Sequence, residues 1–250
     1  GSFIGVEKDV FDAIIVDEAH RLNEKSGMFS NLGENQIKEI IESSKFSVFF
    51  IDEDQKVTWR DIGTKEEILK WSNKNSANIV NLSLSSQFRC NGSDGYLAWL
   101  DNVLQIKETA NVIFNLDDDD LRFFDSPNDL KNEIFEKNKI NNKARLVAGY
   151  CWDWISKKNK VLNDIIIPEY NFAMRWNLAE DKVFIISEKS VNEVGCIHTC
   201  QGLELDYVGV IIGNDLIIRD GRVITNPDKR AKTDTSLNGY KKLYKKNPEE

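Results

Sequence analysis

Phe11-Asp12-Ala13-Ile14-Ile15-Val16-Asp17-Glu18-Ala19-His20 is the stretch on which the reading of this chain turns. Ala13 to Val16 is an apolar run without alternation, and it stops at two adjacent carboxylates. A continuous run is the pattern of a strand buried on both faces, as in parallel sheets covered by helices. In open α/β sheets ligands bind beyond the carboxyl ends of the strands, so Asp17 and Glu18 are expected to project into a crevice. Phosphoryl transfer uses such a pair: one carboxylate holds Mg²⁺ through its water shell, and the other orients or deprotonates the attacking water. The plain alternative is that two acids cap the next helix. An apolar strand leading into D-E-A-H favours the site.

The same logic recurs about 35 residues later, where Phe46 to Ile51 ends in Asp52-Glu53-Asp54-Gln55. A glutamine at a strand end can accept and donate at once, so Gln55 can bridge a terminal phosphate or its attacking water to the rest of a site. Trp59 offers a face on which a base can stack, although a tryptophan beside a strand is often simply packing. Further strands are expected at Ile79–Leu84, Leu121–Phe124, Arg145–Gly149, Val183–Ile186, Val194–Ile197 and Tyr207–Ile212. Apolar residues at helical spacing mark helices around Ile37, Ile40 and Ile41, around Ile68, Leu69 and Trp71, around Leu97, Leu100 and Leu104, and around Leu130 and Ile134. Ser126-Pro127 reads as the N-cap and first position of the last of these. Strand and helix in alternation imply a doubly wound α/β architecture.

Composition bounds what this fold can do. The 250 residues carry 33 basic and 41 acidic side chains, a net charge of −8, and are 41% apolar. A chain of this size buries roughly 70–75% of its unfolded surface, enough for a core without staples. No apolar run approaches the ~20 residues of a membrane span. The scattered Cys90, Cys151, Cys196 and Cys200 form no C-x-x-C pair, and Cys196, His198 and Cys200 lie on one short stretch with no second ligand pair, so zinc is not expected. Free thiols without a secretion signal point to the cytoplasm. Gly1-Ser2 reads as a cloning remnant, so an excised fragment is expected. The acidic balance does not advertise nucleic-acid binding, which must be argued from local sites.

Two more stretches complete the pattern: Leu84-Ser85-Ser86-Gln87-Phe88-Arg89-Cys90, and Gly195-Cys196-Ile197-His198-Thr199-Cys200-Gln201-Gly202-Leu203-Glu204-Leu205-Asp206-Tyr207-Val208-Gly209-Val210. Strand-D-E-A-H, strand-D-x-x-Q, S-Q-F-R-C and H-T-x-Q-G-L-E-x-D-Y-V, in this order, resemble motifs II, III, IV and V of superfamily 1 helicases. With Ala148-Gly149-Tyr150-Cys151-Trp152-Asp153-Trp154 and Trp176-Asn177 upstream, the last is similar to a bacterial family of unknown function whose ATPase domain is related to that of the Schlafen proteins. The resemblance runs from Phe11 to about Asp215. It implies RecA-like parallel sheets with flanking helices, of the P-loop NTPase type. A partial first lobe would span residues 1–84, a second lobe 85–227, and a polar tail or loop 228–250, with ATP bound between the lobes.

The resemblance also implies roles. Asp17 would hold Mg²⁺ and Glu18 would activate water. His20 and Gln55 would couple the γ-phosphate to the strand-binding face, and Arg89 would reach the γ-phosphate as a fork of donors. Glu204 would contact the nucleotide, with Gly202 allowing a tight turn. His198, Thr199 and Gln201 would lie near the backbone of single-stranded DNA or RNA.

The sequence holds no G-x-x-x-x-G-K-[ST] loop, and nothing after Ile212 resembles motif VI; Arg219, Arg222 and Arg230 read as surface charges. Loss of the motif VI arginine alone is worth on the order of 10³–10⁵ in rate, so the 250 residues by themselves are expected to hydrolyse ATP negligibly. Two other readings stand beside the ATPase. One is a nucleotide-sensing or protein-binding module on an ATPase scaffold that unwinds nothing. The other is a two-metal nuclease, which the single carboxylate pair disfavours.

Overall fold

Ile14–Val16 is strand β1, and it pairs in parallel with β2 (Ser47–Phe49), Ile15 opposite Val48. The connection between them is helix α1 (Gln36–Ser43), as parallel strands require a crossover. The computed structural model describes residues 2–26, 31–56, 58, 60–84, 94–114, 120–177, 183–200 and 204–246. They divide into two compact units, Gly1–Ser83 with Ser236–Glu250, and Leu84–Thr235.

In the first unit, α1 begins where the Asn35 side chain accepts from the amides of Ile37 and Lys38 at 3.0 and 3.1 Å. It buries Ile37, Ile40 and Ile41, the triplet expected from helical spacing. The same asparagine donates to Glu67 Oε1 at 3.0 Å and so fixes α1 to α2 (Lys65–Lys74), whose own cap is Thr64. The sheet is not buried on both faces as its apolar run predicts, because Ile15 is 70% exposed. From Ser236 the unit's second segment turns into helix α6 (Tyr240–Lys246).

In the second unit, α3 (Asp94–Val103) stacks Trp99 on Phe114, ring centroids 4.7 Å apart. A five-stranded sheet follows, built from β3 (Ala144–Ala148), β4 (Ile165–Ile167), β5 (Phe172–Trp176), β6 (Glu193–Gly195) and β7 (Tyr207–Ile211). Its order is β4-β5-β6-β3-β7, parallel throughout except for β4. Helix α4 (Pro127–Asn141) covers one face, with Ser126 as cap and Pro127 in the first turn, as the sequence predicts. It sits so close to β7 that a Cβ on Gly209 would lie 2.8 Å from the Ile134 side chain of the helix, and equally close to Leu146 on neighbouring β3. The core beneath is Leu146, Ile165, Phe172, Met174, Trp176 and Val194, with Ile134 from the helix. After β7 the chain forms an antiparallel hairpin, β8 (Leu216–Arg219) and β9 (Arg222–Thr225).

The chain is thus α/β, with a parallel-dominated mixed sheet and flanking helices. Three expected strands are absent. Ile79–Leu84 and Leu121–Phe124 lie outside any strand or helix. Val183–Ile186 is a turn closed by the Ile186 and Ser187 amides on Val183 O, and its next carbonyls go to side chains rather than a ladder: Arg145 donates to Phe184 O and Ile185 O, and Asn142 to Ile186 O. Arg145 is fully buried. Among the described residues no helix is long and apolar enough to cross a membrane.

Candidate functional site

The two carboxylates stand where the strand rule places them, immediately after β1. Asp17 is exposed, and its Oδ1 accepts from the Glu18 amide at 2.9 Å. Glu18 has a left-handed backbone, φ 52° and ψ 41°, and opens a single 3-10 turn, Ala19–Arg21. For a non-glycine residue that conformation costs about 1–3 kcal/mol and persists only when its surroundings over-determine it.

Those surroundings are visible. Phe50 N–H donates to Val16 O at 2.9 Å and Ala19 N–H to Phe50 O at 2.8 Å, so the chain after β2 grips the turn on one side. On the other, Gly63 presses so close that a Cβ there would lie 1.9 Å from Ala19 O and 2.5 Å from His20 Cα. Sequence reasoning missed Gly63; its signal, a glycine just before the Thr64 cap of α2, looks like ordinary loop punctuation.

His20 is 2% exposed. Its Nδ1 accepts from the Asp52 amide at 3.3 Å, which assigns the proton of the neutral ring to Nε2. That nitrogen lies 3.1 Å from Glu18 Oε2, within ion-pair range. The angle is poor for a hydrogen bond, however, and neither atom has another partner among the described residues. Two buried polar atoms of the D-E-A-H turn therefore retain unspent hydrogen-bonding capacity.

The D-x-x-Q segment is the 3-10 turn Glu53–Gln55. Asp52 accepts from the Asp54 amide at 3.2 Å and from Gln55 Nε2 at 2.7 Å, while Glu53 accepts from the Lys65 amide at 3.0 Å. The structure thus joins the two predicted motifs through the His20–Asp52 hydrogen bond. Gln55 itself is exposed, with its amide turned back on Asp52.

The second unit holds the other predicted site residues that are described. His198 is exposed on the one-turn helix α5 (Ile197–Cys200) that follows β6, and Thr199 Oγ1 lies 3.3 Å from Cys196 Sγ. Asn177 fixes this turn by accepting from the Cys196 amide through Oδ1 at 3.3 Å. Glu204 is exposed ahead of β7. Trp59, Arg89, Gln201 and Gly202 lie outside the described residues.

The aromatic signature proves to be packing behind this turn. Trp176 is fully buried, donates through Nε1 to Trp152 O at 3.1 Å, and meets Tyr150 and Trp154 in edge and tilted ring contacts. Beyond the ends of β3 and β7 the segment Arg230–Asp234 closes over them. Ala231 N–H donates to Tyr150 O at 2.9 Å, and Thr233 lies within hydrogen-bond reach of Tyr150 and Asp153. Arg230, read from the sequence as a surface charge, is half-buried and paired with Asp215 at 3.2 Å and Asp234 at 2.6 Å. Burial beside Asp215 pushes the Cys151 thiol up to about 12, and burial also raises the Tyr150 hydroxyl. The Cys200 thiol, likewise buried, is pushed up to about 12. Among the described residues no group of three or more His, Cys, Asp or Glu side chains could hold a metal.

Comparison with known proteins places this arrangement. The uncharacterized protein YPL245W of Saccharomyces cerevisiae is 26% identical over 232 residues, covering 84% of this chain and 50% of that protein. The chain thus spans about half the length of the curated relative it matches. No solved structure matches it. Over residues 1–250 it matches the family described as Schlafen group 3, DNA/RNA helicase domain, and the chain belongs to that family.

Proposed function

We propose that the chain is part of a nucleic-acid-dependent ATPase of the P-loop, RecA-like type, a helicase or translocase. The first unit would belong to the first lobe and the second unit to the second lobe. The observation that carries this reading is the D-E-A-H turn: a strained Glu18 at the end of a parallel strand, its carboxylate 3.1 Å from a buried histidine that is itself held by the neighbouring strand's loop.

The residues fit Mg²⁺ and ATP. Asp17 is an exposed carboxylate at the strand end, and Glu18 keeps an unpartnered oxygen. Because the described residues offer no metal cage, Asp17 would share the ion with phosphate oxygens, the usual mode for Mg²⁺. The ion and nucleotide supply charge neutralisation and the reacting phosphoryl group. Glu18 would take the proton from the attacking water, and His20 would keep that carboxylate oriented. Asp52 would lock the histidine tautomer, so a shift of the Glu53–Gln55 turn would be felt at Glu18. Arg89, Gly202 and Glu204 would contact the nucleotide, and Trp59, His198, Thr199 and Gln201 the single strand.

The test is ATP hydrolysis by the protein carrying these residues together with its flanking sequence, with and without single-stranded DNA or RNA. Hydrolysis should rise with one of the two strands and fall about 10²–10⁴-fold in Glu18→Gln, the usual range for a general base. A Glu18→Gln protein that hydrolyses at the wild-type rate overturns the assignment. Strand-stimulated hydrolysis that leaves duplexes intact would select the module that unwinds nothing.

A further inference from the structure

The β8–β9 hairpin is used by none of the roles above. Its two-residue turn, Asp220-Gly221, has positive φ at both positions, 51° and 73°, the geometry of a tight ribbon end. The register sets Arg219 directly opposite Arg222, and Ile217 opposite Ile224. Alternation puts these four side chains on one face, an aliphatic pair at the base and a guanidinium pair at the tip. Ile218, on the other face, is 71% exposed.

Like charges directly opposite one another destabilise a two-stranded ribbon. Here nothing relieves them, since no hydrogen bond or ion pair joins Arg219 or Arg222 to Asp220 or to any other described carboxylate. The base is anchored: Asn226 N–H donates to Asp215 O at 2.7 Å, and Asp215 also holds Arg230. Residues 216–235 carry Arg219, Arg222, Lys229, Arg230 and Lys232 against Asp220, Asp228 and Asp234, a basic segment in a chain of net charge −8.

We propose that this hairpin is a contact surface for double-stranded DNA, with Arg219 and Arg222 binding backbone phosphates. Charge complementarity selects a polyanion. Leu216 to Thr225 contains no aromatic residue, so the ribbon lacks the stacking platforms by which single strands are held. A two-stranded ribbon fits the roughly 12 Å major groove of B-form DNA, whereas the A-form groove of RNA duplexes excludes it. The proposal rests on the nucleic-acid reading above and adds a duplex site to it.

The experiment measures fluorescence anisotropy of a labelled DNA duplex, and of one of its strands alone, against the full 250-residue chain across a salt series. Each phosphate contact contributes about 0.9 to the slope of log K against log salt, so R219Q/R222Q should flatten the duplex slope by about 1.8. R219K/R222K should keep it, and the single-strand slope should not move. Both variants should melt at or above the wild-type midpoint, because exposed, opposed charges have been removed or conserved. Duplex binding with an unchanged slope in R219Q/R222Q overturns the hairpin site and leaves the nucleic-acid reading standing. An equal loss on the single strand overturns the duplex assignment, as does a variant whose slope falls only because it has unfolded. Absence of binding to either DNA by the wild-type chain overturns both readings.

Discussion

Replacing Arg145 by methionine is the sharpest test of how the second unit is held. The guanidinium is completely buried, and among the described residues no carboxylate pairs with it. Burial lowers its proton affinity, yet an arginine stays charged, so the charge must be met by dipoles. They come from three directions: Asn138 Oδ1 at 2.6 Å and Asn142 O at 3.0 Å from the end of α4, Ala144 O at 2.8 Å on β3, and Ile185 O at 2.7 Å with Ser190 Oγ at 2.8 Å from the loop before β6. The end of α4 is also the negative pole of its dipole, which favours a cation. A methionine side chain in its place would fill much of the space but donate nothing. The carbonyls of Phe184 and Ser187 would keep the Ser190 hydroxyl, leaving Ile185 O and Asn142 O to face an apolar side chain. At about 1–3 kcal/mol for each of the two orphaned acceptors, partly offset because a guanidinium no longer has to be desolvated, the net loss is about 1–4 kcal/mol. For a domain of this size that is a fall in melting midpoint on the order of 2–16 °C. Urea and thermal unfolding followed by circular dichroism would measure it. Arg145→Lys, which keeps the charge but cannot reach all three directions, should fall between. A loss below about 1 kcal/mol for Arg145→Met would refute the idea that this side chain replaces a strand ladder.

Other substitutions and conditions probe separate parts. Gly63→Ala should cost about 1–3 kcal/mol in the unfolding of the first unit, because the methyl would overlap the Ala19–His20 backbone; unchanged urea unfolding would contradict the contact. Asn35→Ala removes both the α1 cap and the tie to Glu67 and should cost about 1–2 kcal/mol, read in the same assay. Cys151 and Cys200 should react slowly with a thiol reagent near pH 8 and at the rate of free thiols only after denaturation. Since burial raises both thiols from 9.0 to about 12, their contribution to stability is complete below about pH 9 and is lost as pH climbs toward 12; a melting midpoint flat across that window would contradict it. Tyr150→Phe should cost about 0.5–1.5 kcal/mol through the lost hydroxyl contact with Thr233, and an equal effect in a protein already carrying Thr233→Val would show that the contact is not the cause.

The parallel strands β1, β2, β3, β6 and β7 were legible because each is a continuous apolar run ended by polar residues, and four helices were legible from the spacing of their leucines and isoleucines. The strand expected at Val183–Ile186 fails for a reason that periodicity cannot carry, since the Phe184 and Ile185 carbonyls are held by the Arg145 guanidinium, distant in sequence, and the Ile186 carbonyl by the Asn142 amide. Strands β4 and β5 were missed because Ile165-Ile166-Ile167 and Phe172 to Trp176 are separated by the tight Pro168–Tyr170 turn, which hides a hairpin inside one apolar stretch. Asp220-Gly221, between two aliphatic runs, is a plain hairpin signal in the sequence. At the site, Asp17, Glu18 and His20 were named from the sequence, but the bond from Asp52 to His20 and the pressure of Gly63 depend on loops folding back. No local pattern encodes that.

The approach of Gly63 to Ala19 is backbone against backbone, and this limits how the turn can change over time. A crowded side chain can be relieved by trimming its neighbour, but neither party to this contact has an atom to give up. A Gly63→Ala lesion therefore has no compensating substitution at positions 19 or 20. A suppressor screen should return only true revertants or changes in the length of the loop between Gln55 and Thr64, and the D-E-A-H turn can drift only by rebuilding that whole loop.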